Sequence, residues 1–249
     1  MKKMIALAMT LLMICGLFAG CGQKSAYQTV AEAVAKTQAL ESVAVTMEME
    51  TTISSESMTI SMPITMRMKG KDIKSENPTV LTDLTLSMLG QTMNAQIYQE
   101  NGWSYAVIGE EKYKTQSEAQ TDQYDYSEEM LQIIPEELMK GVTFKKGADG
   151  VATATVTIPG EKFTQVYGDL VDSLSSSMES VEVLTVKDAE VKISVAEGYI
   201  SAYDMTFAIE TSDGEEISTL DVKASIVYEN PGKPVEITPP EGYQDFPES

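Results

Sequence analysis

The chain opens with a block in which almost every position is apolar, and then settles into short alternating runs. Met4 to Phe18 is nearly all apolar behind Lys2 and Lys3, with Ala19-Gly20-Cys21 following. Ala26 to Leu40 carries Val30, Ala33, Val34, Thr37 and Leu40 at helical spacing, which predicts a helix capped by Thr29 with Glu32 three residues on. From Val43 the period falls to two. Val43, Val45, Met47, Met49 and Thr51 share one face, and Met58, Ile60, Met62, Ile64, Met66 and Met68 share another, predicting a long hairpin of half-buried strands. Pro63 within the second run favours an edge or a bulge there.

The alternation continues. Leu84, Leu86 and Met88 form one strand face, and Met93, Ala95 and Ile97 form the next. Asn101-Gly102 is the strongest hairpin signal in the chain, with Trp103, Tyr105 and Val107 after it. Gly109 to Gln123 is polar and reads as a loop, and Tyr126 to Leu138 as a short amphipathic helix broken by Pro135. Val142 to Lys146 and Val151 to Ile158 form a hairpin, and Glu161 to Ser177 forms a second long helix. Four strands follow, Val181 to Val186, Ala189 to Val195, Tyr199 to Glu210 and Glu216 to Tyr228, before a proline-rich tail that runs extended over the surface.

Strands that alternate have one wet and one covered face, and no parallel βαβ order is present. The pattern therefore predicts an α+β fold. A strongly curved antiparallel sheet, a half-barrel of about nine to eleven strands, holds helices in its concave face.

Composition narrows the chemistry. There are 18 basic and 38 acidic residues, no His, and two Cys, both within the first 21 residues. A His-based triad and a Cys/His metal centre are excluded, and a broad nucleic-acid face is disfavoured. No glycine-rich phosphate loop is present, so no cofactor is expected. Adjacent carboxylates such as Glu215-Glu216 point opposite ways along a strand and build no shared site. A glycosidase needs only two facing carboxylates, and nothing singles out such a pair. The expectation is a protein without enzymatic activity.

The N-terminal block has the layout of a secretory signal and is too short to span a bilayer comfortably. Leu17-Phe18-Ala19-Gly20-Cys21 resembles the lipobox of bacterial lipoproteins, which implies cleavage before Cys21 and diacylglyceryl attachment to its thiol. On that reading residues 1–20 are the signal and residues 21–26 the lipidated Cys and tether, with residues 27–249 forming one domain. Loss of Lys2 and Lys3 takes the net charge from −20 to −22. The expected location is the outer face of the cell membrane, with the acidic body standing away from anionic lipid.

The helix-then-hairpin start, the later helix before a final meander, and the close from Tyr228-Glu229-Asn230-Pro231 to Ile237-Thr238-Pro239-Pro240 extend the likeness. Together with the lipobox they resemble the outer-surface lipoproteins of Gram-positive bacteria. Those are related to the lipoprotein-carrier superfamily, which includes the sorting chaperone and the mycobacterial lipid-carrying lipoproteins. The resemblance implies a half-barrel around an apolar cavity that accepts acyl chains. The sorting chaperone uses an Arg and is soluble, whereas Arg67 is the only Arg here and the chain reads as anchored.

Twelve of the sixteen Met follow the leader, and Met47, Met49, Met58, Met62, Met66 and Met68 among them concentrate in the first hairpin. Unbranched thioethers suit surfaces that accommodate varied apolar partners, and they equally fill cores. Cu(I) is a third use of clustered thioethers, but it favours His or Cys alongside them, and strand alternation explains the spacing. The expected cavity residues are Val45, Met47, Met49, Met58, Ile60, Met62 and Met205, with Trp103 and Tyr105 at the rim. The function expected is binding or shielding of an apolar, lipid-like ligand. The alternative is a structural or adaptor lipoprotein with a collapsed cavity that contacts another envelope protein.

Overall fold

The structure is a computed structural model that describes residues 24–116, 134–168, 183–212 and 217–248. The leader, Cys21, the first part of the helix expected from Tyr126 and the second half of that expected to end at Ser177 lie outside the described residues. The first strands are β1 (Ser42–Ser54), β2 (Thr59–Lys71), β3 (Thr79–Met88), β4 (Gln91–Glu100), β5 (Trp103–Ile108) and β6 (Glu111–Gln116). The later ones are β7 (Lys145–Lys146), β8 (Ala152–Ile158), β9 (Val183–Val186), β10 (Ala189–Ala196), β11 (Tyr199–Ser212) and β12 (Ile217–Tyr228). Among the described residues two α-helices, α1 (Ala26–Gln38) and α2 (Gly160–Val166), accompany them.

All twelve strands belong to one antiparallel sheet, in the order β6-β5-β4-β3-β2-β1-β12-β11-β10-β8-β7, with β9 also on β11. Two meanders run outward from a central seam where β1 pairs with β12. The sheet has two edges and does not close. The strand count exceeds the expected range by β6, which lies in a stretch too polar to alternate, and the strand expected over Val142 to Lys146 shortens to the two residues of β7. Residues 111–116, expected in a loop, pair with β5 through all six positions.

Local chemistry accounts for the turns and the break. Asn101 and Gly102 both take positive φ, 52° and 75°, as the two-residue hairpin turn that suits strand twist requires. Pro63 stands opposite Glu50, and the β2–β3 ladder begins only at Ile64. The missing N–H therefore falls at a local edge, where no neighbour asks for it.

Helix α1 starts at Ala26 as expected, but Thr29 is not its cap. Ser25 is the N-cap, accepting from Gln28 N while the Gln28 side chain accepts from Ser25 N, a complete capping box. Thr29 sits inside the helix, its hydroxyl donating to the Ser25 carbonyl. The buried stripe Val30, Ala33, Val34 and Thr37 seats α1 on β10 and β11. Thr37 fixes the position, donating to Ala33 O (2.8 Å) and accepting from Ile200 N (2.9 Å), so no buried polar atom is stranded. Lys36 donates to Glu197 O and lies 3.9 Å over the Tyr199 ring.

Helix α2 brings fully buried Phe163 between the rings of Tyr167 and Phe207, each with its centroid 4.7 Å away. The Tyr167 and Tyr203 hydroxyls share a 2.8 Å hydrogen bond. Burial raises the pKa of both phenols and keeps them neutral, although the bond itself lowers that of Tyr167. Ile134, ahead of the 3-10 turn Glu136–Met139, and Met139 at its end complete this core over β8 to β12.

Candidate functional site

Cross-strand register defines the face to which the helices belong. Side chains on a strand alternate between faces, so residues directly opposite in neighbouring strands share one. One row runs Met205, Ala224, Met49, Ile64, Leu86, Met93 across β11, β12, β1, β2, β3 and β4. The next runs Tyr203, Ile226, Met47, Met66, Leu84, Ala95, Ile108 and reaches β5. At about 4.8 Å between strands the first row is roughly 24 Å long.

Cover is uneven along these rows. At the β11 end the residues lie under the helices, and Tyr203 is 6 % exposed. Met47, Met49, Met68 and Met205 are half-buried against the core. Ile60, Met62, Ile64, Met66, Leu84 and Leu86 are half-buried too. At the β4 end Met93 is 49 % exposed. A single apolar surface thus passes from sealed core to solvent without a polar break along these two rows. Among the described residues no group of three or more Asp, Glu or Cys is placed to hold a metal ion.

Six of the nine expected cavity residues meet on this face: Val45, Met47, Met49, Ile60, Met62 and Met205. Met58 lies just ahead of β2, in the turn, and is 56 % exposed. Trp103 and Tyr105 are elsewhere. The Asn101-Gly102 turn sets Trp103 opposite Glu100 and Tyr105 opposite Tyr98, on the other face of the sheet. They are no rim to the methionine surface. Leu84, Leu86 and Ile97 also belong to this face and were not expected as site residues, although their alternation is plain.

The tail explains what Tyr105 does. It leaves β12 with Glu229 N donating to Ala44 O, and crosses the second face. Tyr243 packs edge-on against Tyr98 (5.1 Å) and Tyr105 (4.8 Å), and its hydroxyl donates to Glu100 Oε2 at 3.0 Å. Phe246 reaches Tyr105, and Lys114 N donates to Pro247 O. Lys114 also lies 5.6 Å from the Trp103 ring centroid. Burial, with the charge of Glu100 adding, pushes the Tyr98 and Tyr105 phenols above their ordinary range.

The rest of this second face is mostly polar, with Ile217 and Val227 exposed on it. A hollow of about 510 Å³ opens there, walled by Glu48, Glu50, Thr65, Asp204, Lys223 and Ser225, with Met49 and Met205 contributing to its floor. Lys223 pairs with Glu50 and Lys192 with Asp204, so its charges are largely balanced. The sheet is therefore two-sided in chemistry as well as in register, apolar under the helices and charged beyond.

No family model and no curated protein matches the sequence. Among solved structures the chain is similar to LprF from Mycobacterium bovis, with a TM-score of 0.44 and 13 % identity over 87 % of this chain and 97 % of that one. It is also similar to a DUF1329 family protein from Desulfovibrio piger, with a TM-score of 0.25 and 9 % identity over 85 % and 96 %.

Proposed function

We propose that this chain is a non-catalytic extracytoplasmic protein, tied to the membrane through a lipid on Cys21, that holds or shields an apolar, lipid-like ligand against its methionine-rich sheet face. The helix-bearing face would be the concave side of a half-barrel. One observation carries the reading: the row from Met205 to Met93 stays apolar across six strands while its cover runs out partway. A core sealed for stability alone has no need of a half-open extension of that length. Thioethers suit the purpose, because they adapt to acyl chains of differing shape. Among the described residues no helix is long and apolar enough to cross a membrane.

The test is organic extraction and mass spectrometry of soluble protein beginning after Cys21, together with titration of a fluorescent fatty acid. Co-purified lipid or saturable probe binding supports the reading, and the absence of both overturns it in favour of an adaptor that meets another envelope protein. In the full chain, Cys21→Ser is expected to move the protein from the membrane fraction to the soluble one. Each buried CH₂ contributes about 0.8 kcal/mol, so two or more acyl chains account for stable attachment. Unchanged membrane retention would refute the anchor.

A further inference from the structure

The methionines of the apolar face fall into two tiers of accessibility. Met58, Met88 and Met93 are 56 %, 49 % and 49 % exposed, whereas Met47, Met49, Met62, Met66 and Met68 are half-buried. Met88 stands opposite Gln91 and Met93 opposite Leu86 in the β3–β4 hairpin, so the two are diagonal neighbours on one face. Met58 lies one residue ahead of the strand that carries Met62 and Met66. The exposed tier thus fringes the half-buried tier on its solvent side.

We propose that Met58, Met88 and Met93 are a modification site: two-electron oxidants of the peroxide class convert them to sulfoxides, and this turns the open margin of the face from apolar to polar. The thioether sulfur attacks one peroxide oxygen and forms the S–O bond. The O–O bond breaks, and the departing oxygen takes up a proton and leaves as water. Sulfur is oxidised by two electrons and the peroxide is reduced by two. A sulfoxide is a strong hydrogen-bond acceptor that prefers water to an acyl chain, and dedicated reductases reverse it. Access sets the order of reaction, so the half-buried tier lags. That the change also weakens ligand binding rests on the lipid-like ligand proposed above.

The experiment treats soluble protein with dilute hydrogen peroxide, maps oxidised peptides by mass spectrometry over time, and titrates dansyl-labelled undecanoic acid before and after. The three named residues are expected to oxidise about tenfold faster than Met47, Met49 and Met66. Probe affinity is expected to fall about tenfold. A Met58→Leu, Met88→Leu, Met93→Leu variant, conservative in volume, should keep its affinity through the same treatment. Oxidation spread evenly over both tiers overturns the site even where the probe binds well. Sulfoxides confined to the three with affinity unchanged, or an equal loss in the triple variant, overturns the link to binding. An untreated protein that never binds the probe overturns the ligand reading instead, and the order of oxidation still decides the site.

Discussion

Replacing Gly160 with alanine is expected to cost about 3 kcal/mol or more, a large share of the stability of a single fold. Gly160 is the first residue of α2 and is buried. A Cβ there would overlap the Val186 carbonyl oxygen and stand 2.8 Å from its carbon. Both are backbone atoms, and Val186 is held by pairing with Ile209 of β11. No rotamer change relieves the clash, so either the helix lifts or β9 leaves its partner. Lifting also breaks the bond from Gly160 N to Asp188 Oδ1 and unseats Phe163 from its place beside Phe207. Urea unfolding of Gly160→Ala should show a lower midpoint with an unchanged slope. Lys162→Ala, exposed on the same helix, should stay within about 0.5 kcal/mol of the parent. Equal midpoints for the two variants would show that the helix seat is looser than drawn.

The second large effect is on binding. Met66→Glu is expected to weaken the fluorescent fatty acid at least about 100-fold, since an acyl chain laid over a carboxylate must strip it of water. Met66 lies between Met47 and Leu84 in the middle of the apolar rows. Its chain neighbour Arg67 is exposed and points to the opposite face, beside Thr46 and Asp83. Arg67→Gln should therefore leave the affinity unchanged. Adjacent residues with opposite outcomes would read the sidedness of β2 directly, because strand periodicity is two. An equal loss in both variants would place the ligand elsewhere, and no loss in either would remove the methionine face from the function.

Much of this fold is legible in the sequence, and the exceptions have physical reasons. Long strands with one covered face betray themselves by alternation, so β1 to β5 and β10 to β12 can be read from Val, Ile and Met at every second position. β6 has the sequence Glu-Lys-Tyr-Lys-Thr-Gln and lies on the edge, where charged residues keep other chains from pairing. It looks like a loop because a solvated strand need not alternate. The true cap of α1 was obscured because Ser25 and Thr29 both suit the role, and only the position of the first turn chooses between them. The misplacement of Trp103 and Tyr105 was avoidable. A two-residue turn after Glu100 obliges Trp103 to pair with it, and hence to face away from Gln99 and Ile97. What no local pattern reveals is the tail. Tyr243 and Phe246 carry no periodicity, and their partners Tyr98 and Tyr105 lie far back in the chain.

The seam between β1 and β12 has a consequence for how the molecule is made. Thr46 and Glu229, bonded across it, are 183 residues apart. Closure of so long a loop is slow, and contacts of this range delay folding as a class. Synthesis or export that releases the N-terminal meander first leaves β1 with one side vacant until the final strand emerges. During that interval a bare strand bearing Val45, Met47 and Met49 invites pairing with other chains, so the nascent protein is at its most aggregation-prone just before completion. Helper proteins that guard strand edges would have their greatest influence on yield in that window.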